Sequence, residues 1–385
     1  MPGTRSGPVR AGLSIRTLCN PGFKGQVDGI GVYTRELWKQ FDVAGDVEVH
    51  PIVGFGRAAA DLASRYPRGY AFPQGFGVSS ILAMARIRFP GSAELRRRID
   101  VYHSTDYWIP DLGPVPVVAT LHDAIPLSHP EWAVPRQRRT KNAFLRIAAR
   151  RIDLVITVSR SMVPVVVEQF RIPEERVVAI HNGVGAEWFE PLADEVIAEV
   201  SHRYQLPERY FLTVGTLQPR KNLRRILEAF RSLPEATRRE CPLVVVGRMG
   251  WGVDDVVPLL EAGVASREVL WLDWVGEREL RALFRKARAL IFPSLYEGFG
   301  LPVVEAFASA LPVLTSTVSA LPEIAGEAAL KVDPFDVDAI REGMLALAHD
   351  DALCATLATA GLARAPMFSW RTCADQVAAV YRRVT

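Results

Sequence analysis

The sequence predicts an α/β protein with two doubly wound parallel-sheet domains. Three observations carry that prediction. The chain has 385 residues, which at roughly 150 residues per domain accommodates two domains with cores of their own. Short, β-branched, almost wholly apolar runs recur along its length, the pattern of strands covered on both faces. Between most of them lie amphipathic stretches of helical period, and such alternation builds parallel sheets flanked by helices.

Taken in chain order, a glycine-rich segment, Gly25-Gln26-Val27-Asp28-Gly29-Ile30-Gly31-Val32-Tyr33-Thr34, leads into a helix over Arg35–Phe41. Strands are expected at Val47–Val53, Val117–Leu121, Leu154–Val158 and Val177–Ile180, with a basic helix over Arg136–Arg151. A second cluster of strands follows at Phe211–Val214, Leu243–Val246, Val269–Leu272, Leu290–Phe292 and Val313–Thr315, separated by helices such as Asn222–Leu233 and Glu277–Arg288. The break between clusters falls within residues 186–210. After Pro366 a last helix runs from Phe368 to Arg383 and is expected to pack back on the first cluster. The expected domains are therefore 1–190 joined by 367–385, and 191–366. Ligands of such sheets bind beyond the carboxyl ends of the strands, so functional residues are sought just after strands.

Composition narrows the function classes. Gly at 28 and Pro at 27 are ordinary, which excludes collagenous and low-complexity chains. The longest apolar runs are strand-length, well short of the ~20 residues of a membrane span, and Met1–Arg10 has no apolar core of a signal peptide behind it. Four cysteines, Cys19, Cys241, Cys354 and Cys373, stand without C-x-x-C pairing, against a zinc site or disulfide framework and in favour of a reducing cytoplasm. The net charge of +3 is uneven: residues 1–190 hold 24 Lys+Arg against 18 Asp+Glu, the remainder 22 against 25. A basic first half is expected to meet something anionic, whether nucleic acid, phospholipid or a diphosphate-bearing substrate. Nucleic acid is disfavoured, because aromatic–basic interleaving and any recognised motif are missing.

The richest chemistry lies at Phe292-Pro293-Ser294-Leu295-Tyr296-Glu297-Gly298-Phe299-Gly300-Leu301-Pro302-Val303-Val304-Glu305. A strand ends, a glycine-bearing loop follows, and Pro302 suits the first turn of a helix. The amides of Phe299, Gly300 and Leu301 are expected to hold a phosphate or sugar oxygen. Glu297 in the loop and Glu305 in the first helical turn are expected to face one ligand, although Glu305 alone would also suit the helix dipole. After the Phe211–Val214 strand comes Gly215-Thr216-Leu217-Gln218-Pro219-Arg220-Lys221-Asn222, where Arg220 and Lys221 form either a diphosphate clamp or a solvated surface pair. In the first half, Gly29 and Gly31 precede a helix whose N-terminus an anion could approach, but the dinucleotide and P-loop spacings both fail. His122 ends a strand and could donate to a sugar or diphosphate. His50, His103, His129, His181, His202 and His349 show no paired metal spacing. The basic helix places Arg139, Arg146 and Arg150 along one face, read either as a solvated face or as a peripheral contact with anionic membrane.

The order of these motifs resembles glycosyltransferase family 4: a glycine-rich loop, His-Asp after a strand, Gly-Thr-Leu-Gln-Pro-Arg-Lys-Asn, then Glu-Gly-Phe-Gly-Leu-Pro with a second Glu eight positions after the first. The resemblance covers the chain from about Gly25 to the Phe368-Ser369-Trp370 helix. It implies the GT-B fold, two Rossmann-like domains facing across a cleft, and a retaining, nucleotide-sugar-dependent transferase. Glu297 would contact hydroxyls of the donor hexose and the charge developing at its anomeric carbon, and Glu305 would bind the ribose. Phe299, Gly300 and Leu301 would hold the sugar or distal phosphate, and Arg220 and Lys221 the departing diphosphate. Gly29 and Gly31 would let the first domain close over it, His122 would sit at the transferred sugar, and the base would lie near Val275-Gly276. Many relatives carry Arg where this chain has Thr216, and the variant here looks like bacterial mannosyl- and rhamnosyltransferases of surface polysaccharides.

With no Asp-x-Asp motif at a strand end, the resemblance implies metal-independent transfer, with no cofactor beyond the nucleotide-sugar substrate. The expectation is mannose from GDP-mannose, transferred to a glycan or polyprenyl-diphosphate-linked saccharide. The alternatives are rhamnose, glucose or N-acetylglucosamine from a UDP-, dTDP- or other GDP-sugar, or a non-catalytic sugar-nucleotide-binding scaffold. Acceptor contacts are expected from Tyr102–Pro110 and Gln74–Arg88.

Overall fold

A computed structural model describes residues 7–19, 27–75, 78–79, 87, 89, 91–132 and 138–385, without the side chains of 138–141 and 144. The chain divides into two compact units, one running to Gly183 and taken up again at Trp370–Thr385, the other Val184–Ser369.

The first unit holds a seven-stranded sheet in the order β3-β2-β1-β4-β5-β6-β7. Its strands are β1 (Val9–Ser14), β2 (Val47–Phe55), β3 (Tyr70–Phe72), β4 (Val101–Ser104), β5 (Val117–Leu121), β6 (Leu154–Thr157) and β7 (Val177–Ala179). The second unit holds a six-stranded sheet in the order β10-β9-β8-β11-β12-β13. These are β8 (Phe211–Val214), β9 (Leu243–Val246), β10 (Val269–Leu272), β11 (Ala289–Phe292), β12 (Val313–Ser316) and β13 (Leu330–Val332). Every strand pair is parallel. Both sheets are doubly wound, and their order reverses once, between β1 and β4 in the first and between β8 and β11 in the second. Such a reversal opens a crevice at the carboxyl ends of the two strands.

The second core explains why its strands read so plainly. Leu243 and Val245 are buried among Phe211, Ile291 and Leu314, and the Leu223–Arg231 helix lays Leu223, Ile226, Leu227 and Phe230 on the same core. In the first unit an aromatic group, Phe72, Phe89 and Trp108, shares the core with Ile52, Leu95 and Val155.

The unit boundaries lie elsewhere than at 190 and 366. Val184 pairs with Ser369 in a parallel bridge and its amide donates to the Phe368 carbonyl at 3.0 Å. Trp188 packs edge-on against Phe284 at 5.0 Å, and Arg285 Nη2 donates to the Trp188 carbonyl at 2.7 Å. Those contacts hold 184–190 and 367–369 in the second unit, and the returning helix begins at Trp370. The stretch 186–210 also contains a helix, Asp194–Tyr204, tied to its own unit by Lys286 Nζ at 3.1 Å from Ser201 Oγ.

Candidate active site

The switch point of the second sheet brings two loops together. After β8, Gly215 adopts φ +126°, a conformation natural to glycine, and a Cβ there would come 3.2 Å from Lys221 Cε. The chain then makes a tight turn over Pro219–Lys221, closed by Asn222 at φ +62°. Asn222 is buried, and its Nδ2 donates to the carbonyls of Pro293 at 2.9 Å and Pro334 at 2.7 Å. The Leu295 amide donates to the Arg220 carbonyl at 2.8 Å. The bonds to Pro293 and from Leu295 tie the turn after β8 to the loop after β11, and the bond to Pro334 ties it to the stretch after β13.

That tie places Glu297 between two cations. Arg220 Nη1 donates to Glu297 Oε2 at 2.7 Å, and Lys221 Nζ to Glu297 Oε1 at 2.6 Å. Arg220 also donates to the Tyr296 carbonyl at 3.2 Å, and the Lys221 ammonium stands 4.7 Å from the centre of the Phe292 ring. Ser319, at φ +61°, donates from Oγ to the Glu297 carbonyl at 2.6 Å and accepts from the Glu297 amide at 3.0 Å. Burial alone would push the Glu297 carboxyl up; Arg220 and Lys221 outweigh it and hold it below its ordinary value. Burial brings Lys221 down to about 8, with Arg220 adding to that effect and the charges of Glu297 and Glu305 opposing it. The cluster carries one carboxylate against two cations, so it retains a net positive charge suited to an anionic ligand.

The helix Leu301–Ala308 starts at Gly300, which sits at φ +103°, with Pro302 in its first turn. A Cβ on Gly300 would meet Leu321 Cδ2 at 2.7 Å. The amides of Phe299, Gly300 and Leu301 thus stand at a helix start, with Phe299 buried edge-on to Phe368 at 5.6 Å. Glu305 corrects the expectation of a first-turn position: it is the fifth residue of the helix and lies in the second turn, half-buried. Thr216 is exposed. Val275 is buried and precedes Gly276, whose amide is capped by Glu279 Oε2 at 2.7 Å.

Gly29, Gly31 and His122 belong to the first unit. The helix there is Gly29–Ala44, so both glycines lie within its first turn instead of ahead of a helix at Arg35. The Gly31 amide does not wait for an anion: Asp28 Oδ1 accepts from it at 2.8 Å. A Cβ on Gly31 would come 2.8 Å from Val27 Cβ, so close packing inside the protein accounts for this glycine. His122 follows β5 and lies edge-on to Tyr33, with ring centres 4.9 Å apart. Its ring bonds the Thr105 backbone while burial lowers its pKa to about 4. Nε2 is buried and has no hydrogen-bond partner among the described residues.

Other expectations are revised. Arg146 Nε donates to the Gln169 carbonyl at 3.0 Å, so part of its guanidinium serves the fold; Arg150 is exposed, and the Arg139 side chain lies outside the described residues. In Tyr102–Pro110, Tyr102 and His103 belong to buried β4 and Trp108 to the core. Most of Gln74–Arg88, and Gly25-Gln26, lie outside the described residues. Sequence reasoning gave Ser319 no role and Asn222 only a place at the end of the Gly215–Asn222 motif; both hold left-handed backbone positions. Among the described residues no group of three His, Cys, Asp or Glu could hold a metal ion, and no helix is long and apolar enough to cross a membrane.

Comparison with known proteins agrees along the chain. A profile described as Glycosyl transferases group 1 matches residues 198–364, and one described as Glycosyltransferase Family 4 matches residues 27–188. The chain is 32% identical over 368 residues to O-antigen chain mannosyltransferase B of Escherichia coli, covering 92% of this chain and 96% of that protein. It is 29% identical over 261 residues to the serotype-specific mannosyltransferase WbdA of Escherichia coli, 67% of this chain but 32% of the relative. Among solved structures, Anabaena Alr3699/HepE in complex with UDP and glucose is similar with a TM-score of 0.74, over 97% of this chain and 100% of that one, at 18% identity. With both halves matched and a relative of this identity covered almost end to end, the chain belongs to glycosyltransferase family 4 and is a glycosyltransferase of the GT-B fold.

Proposed function

We propose that this enzyme is a retaining mannosyltransferase that moves mannose from GDP-mannose, without a metal ion, onto a glycan or polyprenyl-diphosphate-linked saccharide. The observation that carries the reading is the Arg220–Glu297–Lys221 cluster at the β8/β11 switch point. A guanidinium and an ammonium beside a helix start can meet the charge of a departing diphosphate. Glu297 offers a carboxylate to sugar hydroxyls and to positive charge at the anomeric carbon. Glu305 is assigned to the ribose, the Phe299–Leu301 amides to the distal phosphate or sugar, and Val275 to the neighbourhood of the base. His122, neutral at ordinary pH, offers Nε2 to a sugar hydroxyl. The curated relatives named as O-antigen and serotype-specific mannosyltransferases support mannose and a role in surface polysaccharide synthesis. The four free cysteines, three of them buried, fit a reducing cytoplasm.

Retention without a separate nucleophile calls for front-face substitution. The bond from the anomeric carbon to the diphosphate oxygen breaks and the bond to the acceptor oxygen forms on the same face. The acceptor proton passes to the leaving phosphate oxygen. Arg220 and Lys221 hold the negative charge that accumulates there.

Calorimetric titration of the protein with GDP, UDP, dTDP and ADP in EDTA tests the donor. Selective GDP binding, followed by mannosyl transfer with an α product from the α donor, is the expected result. Selective binding of UDP or dTDP would discard mannose, and no binding of any nucleotide would remove the reading.

A further inference from the structure

His103 lies on β4, is wholly buried, and takes no part in the chemistry assigned above. Its Nδ1 is 2.6 Å from the Tyr381 hydroxyl and its Nε2 is 2.8 Å from Thr120 Oγ1. Thr120 Oγ1 is in turn 2.9 Å from the Tyr33 hydroxyl. Four buried side chains from four elements, β4, β5, the Gly29–Ala44 helix and the C-terminal Trp370–Val384 helix, therefore form one linear relay. A neutral imidazole supplies one donor and one acceptor nitrogen, and each hydroxyl can donate and accept. Every link can be satisfied with the hydrogens running in either direction, so the relay holds its members in one arrangement whichever direction is taken.

The relay ends at the residue whose ring meets His122. The Tyr33 ring stands edge-on to the imidazole at an interplanar angle of 84°, and Trp370 meets the Tyr33 ring at 6.1 Å. His122 is restrained at the Thr105 backbone and by the Tyr33 ring, while Nε2 is buried with no partner among the described residues. A buried nitrogen left unpaired in a polar setting calls for a ligand, and its usefulness depends on the ring being held at a fixed tilt.

We propose that Tyr33 is a positioning residue for His122, with its phenol pinned by the Thr120–His103–Tyr381 relay, so that the C-terminal helix sets the direction in which His122 Nε2 points. The inference rests on the reading of His122 as a sugar ligand, and the experiment separates the two. Thr120→Val keeps the side-chain shape and removes the central hydroxyl, Thr120→Ser restores it, and Tyr33→Phe removes the terminal one. The full-length protein is labelled with 15N-histidine, and the His122 ring resonances, assigned with His122→Ala, are read alongside kcat, KM for the donor and melting temperature. Thr120→Val and Tyr33→Phe should each move the His122 ring resonances and lower kcat about tenfold, with KM for the donor within twofold. Thr120→Ser should return both signals toward wild type. Unmoved His122 resonances with wild-type kcat in Thr120→Val and Tyr33→Phe would overturn the proposal, even if the melting temperature falls. If His122→Ala itself leaves turnover intact, the sugar-ligand reading is lost. The ring resonances, which need no activity, would still decide whether the relay orients His122.

Discussion

Glu297 is shared by two cations in the ligand-free enzyme, and that sharing has a thermodynamic consequence. On the proposed function, a nucleoside diphosphate would compete with the carboxylate for Arg220 and Lys221. Charge-assisted hydrogen bonds of this kind contribute ~1.5–3 kcal/mol each, so the competition is large enough to measure. Glu297→Gln keeps the shape and removes the competing charge. Free GDP lacks the hexose that Glu297 is assigned to touch, so it should bind the variant several-fold more tightly while transfer falls by two orders of magnitude or more. Calorimetry beside initial rates reads both. A variant that binds GDP more weakly than wild type would show that these cations do not form the diphosphate clamp.

Lys221 adds a pH dependence whose sign follows from its environment. In the free enzyme burial brings it to about 8, far below an ordinary lysine. Above that pH the free enzyme loses the Lys221 charge, whereas on the proposed function a bound diphosphate would hold the proton on. The complex then carries more protons than the free enzyme, and affinity must fall as pH rises from 8 toward 10. Lys221→Arg supplies a cation that keeps its proton throughout and should flatten the profile. Dissociation constants for the diphosphate at pH 7, 8, 9 and 10 check this; a flat wild-type profile would place Lys221 outside the clamp.

At the scale of elements, Asn222 ties the turn after β8 to the loop after β11 and to the stretch after β13. Its amide donates to two carbonyls from separate segments, and its αL backbone suits Asn, Asp or Gly. Asn222→Asp keeps size and conformation but faces both carbonyls with an acceptor. Leaving each buried carbonyl unpaired costs ~1–3 kcal/mol, while Arg225 Nη1, 3.1 Å from Asn222 Oδ1, would pair only one oxygen of the new carboxylate. Asn222→Gly loses the same two bonds and also the acceptor for Arg225. Denaturant unfolding should therefore rank wild type above both variants, with GDP affinity lowered in each. An Asp variant as stable as wild type would mean the tie is not made through this amide.

The same scale shows what the sequence made legible. The strands β8, β9 and β11 were plain because both faces of each are covered by apolar side chains. By contrast β1, Val-Arg-Ala-Gly-Leu-Ser, and β4, Val-Tyr-His-Ser, were not found. They break the apolar run where other duties intervene: Arg10 pairs with Asp100 and His103 carries the buried relay. Strands whose residues serve a site lose the pattern that would announce them. The site divides in the same way. Arg220, Lys221 and Glu297 stood out by residue type after strands. Their mutual pairing spans 76 or 77 positions and exists because β8 and β11 are neighbours, a topological fact that no local spacing encodes. The capping of Gly31 by Asp28 was hidden for a smaller reason: the helix starts earlier than its apolar period does.

For the molecule as a whole, the first unit is discontinuous and the second is not. The chain leaves the first unit at Gly183 and returns at Trp370, and the returning helix buries Trp370, Cys373, Ala374, Val377, Ala378, Val380 and Tyr381. Tyr381 packs on Phe41 at 5.8 Å and closes the relay to Tyr33. Burial of the larger of these side chains contributes ~1.5–3 kcal/mol each, which in sum is comparable to the whole stability of a domain, about 5–15 kcal/mol. The second unit, Val184–Ser369, contains its own sheet, its own core and the Arg220–Glu297–Lys221 cluster. A chain ended after Ser369 should therefore lose the unfolding transition of the first unit and keep that of the second. Because only folded protein binds ligand, GDP should still raise the surviving transition, and transfer should be abolished. Calorimetric scans of both chains, with and without GDP, measure this. If the shortened chain melts as wild type does, the C-terminal helix is not part of the first unit's core. If GDP no longer moves the surviving transition, nucleotide binding is not a property of the second unit alone.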